Sequence, residues 1–223
     1  MEKENLSNII IDNKKDDFRT KIYLFNKRLI DILLSSLGIL ILLPCLLLVF
    51  IEYKVINKEK GSIFFKQKRF GLNGNSFNIY KFRSMVVNAD KKLKLNPYLY
   101  QKYIDNNYKL CPNDDPRITK FGLFIRKTSI DELPQFINVI KGDMSIVGPR
   151  PVVKEELSEY NRIKLLSVRP GIMGAWQAKG RSNIGYPERA QIEMNYIDNA
   201  SSFTDLKILV QNIIIIFKKD GAY

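Results

Sequence analysis

The sequence predicts a mixed α/β (α+β) protein in which a re-entrant N-terminal membrane helix leads into a small soluble domain with interfacial helices. Three observations carry this expectation: one uncharged apolar run from Ile32 to Ile51, short Ile-, Phe- and Tyr-rich stretches bounded by Gly and Asn, and several helical segments in the second half. At 223 residues the chain can build one substantial domain, or a smaller domain plus an anchor. Its 36 Lys+Arg against 23 Asp+Glu give a net charge of +13, which points to anionic partners: nucleic acid, acidic headgroups or phosphorylated small molecules. Histidine is absent, which removes the commonest general base, His-dependent triads and most zinc sites. Proton transfer must rest on Asp, Glu, Lys, Tyr or water. The two cysteines, Cys45 in the apolar run and Cys111 in a polar segment, form no readable disulfide framework, so a reducing compartment is the simpler expectation.

Residues 1–21 mix charge and Asn with little periodicity and are expected to be a mobile tail. Residues 22–60 are the membrane element and its exit. Its apolar run extends about 30 Å as a helix, enough to cross a hydrocarbon core. Thirty-one residues precede it and no small-x-small site follows, unlike a secretory signal. Pro44 removes the amide that would bond the Leu40 carbonyl, and Lys21, Lys27 and Arg28 before the run face Lys54, Lys58 and Lys60 after it. Such symmetry gives the positive-inside rule little to decide with. A helix that bends at Pro44 and returns to the same face satisfies both facts; a single kinked span is the alternative.

The soluble domain is expected over residues 61–223. Ser62 to Gln67 and Ser76 to Met85 are predicted strands joined by a turn at Gly71 to Asn75, and period-two alternation puts Lys81 and Arg83 on one face. Asn88 to Asn107 is predicted helical on either side of Pro97, and Asp114-Asp115-Pro116-Arg117 marks a loop. Helices are expected at Thr119 to Arg126, Ser129 to Ile140, from near Val152 past Tyr160, at Pro187 to Ile197 and at Asp205 to Phe217, with a strand at Ile172 to Gln177 carrying the lone Trp176. The Ile213 to Phe217 run is too short to span a bilayer; it is either core or an interfacial face followed by Lys218 and Lys219.

Chemistry concentrates in two places. Ser129-Ile130-Asp131-Glu132 matches a capping box, with Ser129 capping and Glu132 reaching back, and that reading leaves Asp131 unexplained. Alternatively, the positive end of a helix keeps Asp131 ionised and suits it to attack phosphorus. That attack requires neutralising partners, for which Arg126 and Arg150 are candidates, with Mg2+ as the fitting hard cation. The second place is Gly148-Pro149-Arg150-Pro151, either a plain turn or a rigid frame aiming one guanidinium. Arg169-Pro170-Gly171 and Lys179-Gly180-Arg181-Ser182 repeat the pairing of a cation with Gly or Pro.

The order Lys27-Arg28, apolar helix with Pro44, Tyr80-Lys81-Phe82-Arg83-Ser84-Met85, Arg126 to Gln135, Gly142 to Pro151, Arg169 to Ile172 and Gly180-Arg181-Ser182 resembles the bacterial sugar transferases, the monotopic polyprenyl-phosphate phosphoglycosyl transferases. The resemblance covers about residues 22 to 223, and the Trp176-Gln177 region looks most like the undecaprenyl-phosphate galactose phosphotransferase branch. It implies a re-entrant helix at the cytoplasmic face of the bacterial inner membrane and a catalytic domain over residues 61–223. It further implies that Asp131 attacks the β-phosphate of a UDP-sugar, releases UMP and passes the phosphosugar to polyprenyl phosphate, starting capsule, O-antigen or exopolysaccharide assembly. Glu132 would assist, Asp131 would ligate Mg2+, and Lys81, Arg126, Arg150, Arg169 and Arg181 would hold substrate. Lys27, Arg28 and Pro44 would set topology. Bilayer lipids are implied partners, a homodimer is compatible, and no nucleic acid is expected. Two departures stand out: Leu43-Pro44 where the family commonly has Ser-Pro, and Glu193 where it usually has Asp. With Lys179 and Asn183 to Gly185, the latter bears on sugar identity more than on reaction class. The competing reading is a non-catalytic, membrane-tethered basic module for nucleic acid or lipid, which accounts for the charge and the apolar run but not for Asp131-Glu132 beside Gly-Pro-Arg-Pro.

Overall fold

Helix α1 (Glu2–Phe50) runs without a break through Pro44, and a π-helical turn, Ile51–Ile56, extends it. The computed structural model describes residues 2–58, 60–105, 110–180 and 184–218, with side chains from residue 20 to residue 215. Residues 2–21 were expected to be an irregular tail, but their backbone is helical. The chain has neither Gly nor Pro before Gly38, so no local breaker opposes the helix.

One stripe of α1 faces the rest of the protein. Asp31, Ser35, Leu42, Val49 and Tyr53 are buried, while Leu33, Leu37, Leu40, Ile41, Leu47 and Leu48 on the other sides are 57–64% exposed. Spacings of four and seven make that stripe, and it continues past Pro44 on the same face. Gly38 belongs to it: a Cβ there would fall 2.5 Å from Phe136 Cδ2, so the missing side chain lets the ring lie on the helix backbone. Phe136 sits on α5 (Gln135–Lys141). Arg28 donates to the Val139 and Ile140 carbonyls at 2.7 and 2.9 Å, covering the carbonyl end of that helix.

Strands β1 (Phe64–Phe70) and β2 (Ser76–Phe82) form an antiparallel hairpin. The first strand starts later than predicted because Ser62 Oγ accepts the Phe64 amide and turns the chain at 3.0 Å. In the register Phe65 faces Lys81, Gln67 faces Ile79 and Arg69 faces Phe77, so Arg69 and Lys81 share one side of the hairpin. Asn138, fully buried on α5, donates to Asn78 O at 2.8 Å and accepts from the Tyr80 amide at 3.0 Å, which ties α5 to the edge of β2. Helices α2 (Ala89–Lys94) and α3 (Pro97–Asp105) flank Pro97, and α4 (Lys120–Lys127) starts where Thr119 Oγ1 accepts the Gly122 amide at 2.8 Å.

A second, parallel pair, β3 (Ser145–Val147) and β4 (Gly171–Met173), brings the Gly148 turn against the Arg169–Gly171 turn. Strand β3 was not foreseen, and the predicted strand over 172–177 shrinks to three residues because Trp176 already enters a 3₁₀ turn, Gln177–Lys179. The helix expected from Val152 is a 3₁₀ segment, Glu155–Glu159, followed by the short α6 (Arg162–Leu165). Helices α7 (Glu188–Asp198) and α8 (Ser202–Lys218) close the described chain. Ile79, Val139, Met144, Ile146, Val147, Tyr196 and Ile208 pack into the central core. On α8, Ile208 and Asn212 face that core, whereas Phe203, Leu206, Val210, Ile213 and Ile214 remain exposed, giving the interfacial alternative its apolar face.

Candidate active site

Pro134 decides the local backbone. It has no amide to donate to the Ile130 carbonyl, so the predicted helix over 129–140 splits into a 3₁₀ turn, Ile130–Glu132, and α5, which starts at Gln135. Ser129 adopts a left-handed conformation (φ 57°) and makes no side-chain cap, which corrects the capping-box expectation. Asp131 and Glu132 thus sit on a tight turn between two short helices, not at the positive end of a long one.

The turn separates the two carboxylates. Asp131 is only 9% exposed, and burial pushes its carboxyl up to about 6; Lys81 and Arg126 pull it down, and Glu132 adds to the rise. This reverses the expectation that a helix terminus keeps it strongly ionised: desolvation wins over the nearby cations. Glu132, partly exposed, accepts from Lys81 Nζ of β2 at 2.8 Å. Arg126, at the end of α4, donates from Nε to Ser84 Oγ at 2.7 Å; burial lowers its pKa, while Asp131 and Asp115 raise it. The Tyr80-to-Met85 and Arg126-to-Gln135 segments therefore converge on Asp131. A carboxylate that titrates near neutrality beside a lysine and an arginine is suited to nucleophilic attack on an anionic phosphoryl centre.

An open cleft runs from Lys81, Glu132 and Gln135 to Arg69, Arg150 and Gln177. Arg150 is held by its frame: its amide donates to Glu193 Oε1 at 2.8 Å, and its guanidinium lies 5.8 Å from the Trp176 ring. Glu193 is fully buried, accepts from Tyr160 Oη at 2.6 Å, and is pushed up by burial. Arg169 donates from Nε to the Gly142 carbonyl at 2.9 Å and so braces the turn before β3. Arg181 lies outside the described residues. Lys27 and Arg28 hold α1 to the domain: Lys27 Nζ donates to Val147 O at 2.8 Å and pairs with Asp205 at 2.6 Å, while Arg28 covers α5.

Two arginines escaped the sequence reading. Arg69 is on the Lys81 side of the hairpin, and Arg189 of α7 stacks 3.9 Å from the Trp176 ring. Hairpin register would have found the first; the second stands one helical turn before Glu193, on the same face. Among the described residues no group of three His, Cys, Asp or Glu side chains could hold a metal. A single carboxylate such as that of Asp131 is enough for Mg2+, which completes its shell with phosphate and water.

Residues 22–219 match the bacterial sugar transferase family. The chain is 43% identical over 203 residues to an uncharacterized sugar transferase of Haemophilus influenzae, covering 88% of this chain and 42% of that protein. It is 40% identical over 204 residues to the undecaprenyl-phosphate galactose phosphotransferase of Salmonella typhimurium, covering 89% and 42%. To the exopolysaccharide production protein ExoY of Sinorhizobium fredii it is 41% identical over 204 residues, covering 89% and 88%. The chain spans about two-fifths of the length of the first two relatives and most of the third. With the match running from the apolar helix through Asp131, Arg150 and α8, the chain belongs to the bacterial sugar transferase family.

Proposed function

We propose that the protein is a phosphoglycosyl transferase that moves a sugar 1-phosphate from a UDP-sugar to undecaprenyl phosphate at the cytoplasmic face of the bacterial inner membrane. The observation that carries this reading is buried Asp131, its carboxyl raised to about 6, on a turn shared with the Lys81–Glu132 pair and Arg126. A relative named for undecaprenyl-phosphate galactose phosphotransfer supports the same chemistry.

In the first step an Asp131 carboxylate oxygen forms a bond to the β-phosphorus of the UDP-sugar. The bond from that phosphorus to the bridging oxygen breaks, and the oxygen leaves with UMP. In the second step an oxygen of undecaprenyl phosphate attacks the same phosphorus, the acyl-phosphate bond breaks, and Asp131 is regenerated as a carboxylate. No net proton transfer is needed, in keeping with a chain that has no histidine. Lys81 and Arg126 lower the repulsion between carboxylate and phosphate, and Glu132 fixes Lys81. Asp131 would hold Mg2+, which when bound neutralises phosphate charge.

The α1 helix runs without a break through Pro44, and its stripe favours an arrangement in which both of its ends stay on one side of the membrane, the topology the re-entrant reading requires. Lys27 and Tyr53 lie about 39 Å apart along a straight helix, yet Lys27 bonds Val147 O and Tyr53 bonds Arg83 O at 2.6 Å in the same folded body. A helix crossing the bilayer between them would drag that body into hydrocarbon. On this reading lipid meets exposed Leu and Ile residues of α1 and α8.

Labelled UDP-sugar without lipid acceptor, quenched rapidly, should leave a phosphosugar adduct on the wild type and none on Asp131→Asn. With acceptor and Mg2+, UMP release across a panel of UDP-sugars identifies the sugar. Turnover by Asp131→Asn at the wild-type rate would remove Asp131 from the mechanism.

A further inference from the structure

One wall of the cleft concentrates more positive charge than its own acids answer. Arg69 and Arg150 line that wall, and Arg150 and Arg189 both lie within 6 Å of the Trp176 ring. The Nε atoms of all three arginines, Nη2 of Arg189 and the Trp176 indole nitrogen are buried with no hydrogen-bond partner. Two acids are nearby. Glu156 meets Arg69 Nη1 at a long 3.3 Å, and Glu193 is taken up by the Arg150 amide and Tyr160.

A structural arginine elsewhere in the chain looks different. Arg117 is clasped by the buried Asp115 through contacts of 2.7–3.1 Å from Nε and Nη2, and its charge is answered on the spot. In the trio, burial and then the Arg150 charge lower the Arg69 guanidinium to about 10, and burial and then Arg150 lower Arg189 as well. Three cations held together with idle donors are costly unless an anion with several acceptor oxygens joins them. Guanidinium forks match phosphate in both charge and geometry.

We propose that Arg69 and Arg150, backed by Arg189 on Trp176, form a binding site for a phosphate group in the cleft that Lys81 and Glu132 also line. This rests on the phosphotransfer reading given above and adds a second anion pole to it. The Lys81 and Arg126 pole serves the phosphorus under attack; the arginine pole takes the neighbouring phosphate. Two sources share that chemistry, the α-phosphate that leaves as UMP and the phosphate of the polyprenyl acceptor. A two-step reaction allows both to use the pole in turn.

The test measures equilibrium binding of labelled UMP and of a short-chain polyprenyl phosphate to the full-length protein in nanodiscs, without turnover. Trp176, the only tryptophan in the chain, supplies an internal signal. In the wild type either ligand should change its emission saturably. Arg69→Gln should weaken binding at least tenfold, with Arg69→Lys recovering part of the loss; Arg189→Gln serves as the second variant, each checked for wild-type circular dichroism. Loss for UMP alone assigns the pole to the nucleotide, loss for the lipid alone to the acceptor, and loss for both to successive use. Wild-type affinity of Arg69→Gln and Arg189→Gln for both ligands would overturn the proposal. Asp131→Asn separates this from the reaction: it should bind UMP normally while failing to turn over, so a fully active Asp131→Asn would defeat the mechanism and leave the arginine pole standing.

Discussion

Replacing Asp131 with Asn should make the protein more stable while abolishing turnover. The carboxyl is raised from 3.8 to about 6 chiefly because burial penalises its charged form. A gap of about two pKa units corresponds to roughly 3 kcal/mol of penalty once the group is ionised in the fold. The folded state holds the proton more tightly than the unfolded chain. The penalty is therefore absent below about pH 4, builds as pH rises towards 6, and is complete above it. The shift already includes the attraction to Lys81 and Arg126, and the buried amide of asparagine has its own desolvation cost, so the net gain at pH 8 should be about 1–3 kcal/mol. For a chain of this size that is a rise of about 2–10 °C in the apparent unfolding midpoint. Thermal unfolding in nanodiscs at pH 8 and pH 4.5, followed by Trp176 emission, measures it. The difference between variant and wild type should be large at the higher pH and shrink at the lower. A variant less stable than wild type at pH 8, or a gain independent of pH, would refute the reasoning. Activity should carry the same signature in reverse, with UMP release falling towards tenfold per pH unit below about 6 and level above it.

Three further perturbations test how α1 is held. Asp31 accepts from Ser145 Oγ at 2.9 Å and from the Ile146 amide at 2.8 Å; Asp31→Asn should cost about 1–3 kcal/mol of stability and, because β3 leads into Arg150, raise the KM for the UDP-sugar, both measurable on the purified protein. Gly38→Ala should lower the unfolding midpoint because its Cβ would fall on the Phe136 ring, at a cost of about 1–3 kcal/mol; Gly38→Ala with Phe136→Leu should recover most of it, and no recovery would mean that the clash is not the cause. Pro44→Ala restores a backbone bond and should move a minority of molecules to a spanning form, limited by the penalty of roughly 2.5–3.5 kcal/mol per charge for carrying Lys27 and Arg28 across. Single-cysteine labelling at positions 8 and 90, with Cys45 and Cys111 replaced, reads it out; periplasmic labelling at position 8 in the protein with Pro44 intact would sink the re-entrant reading.

Periodicity and punctuation made most of the fold legible. Hairpin strands rich in Ile, Phe and Tyr flank a Gly- and Asn-rich turn, and helices sit on either side of Pro97, as those residues dictate. What failed was short and set by tertiary contact. Strand β3 is three residues long and exists because β4 lies beside it in parallel, a pairing between distant segments that no local pattern announces. The Ser129-x-x-Glu132 signature was present and misleading: Pro134, five residues on, removes the amide a regular helix needs, and Glu132 turns to Lys81 instead of to its own backbone. A local motif lost to one imino acid and one long-range ion pair.

The site was legible by composition and hidden in its electrostatics. Of the residues picked from chemistry and order, Lys81, Glu132 and Arg150 line one cleft, while Asp131 shares a turn with Glu132 and Arg126 ends the helix before it. The direction of the Asp131 shift could not, because it depends on how much water the folded chain excludes. Lys27 and Arg28 show the same limit from the other side. As sequence they are charges beside an apolar run, to be weighed in a topology rule; in the fold Lys27 grips the Val147 carbonyl and Arg28 the end of α5. Asp31, one turn further along the same stripe, holds Ser145 and Ile146. Strand β3 leads from these contacts directly into Gly148-Pro149-Arg150. The helix with the exposed leucines therefore also positions the strand that leads into an arginine of the cleft, and α1 counts as part of the scaffold of the candidate site.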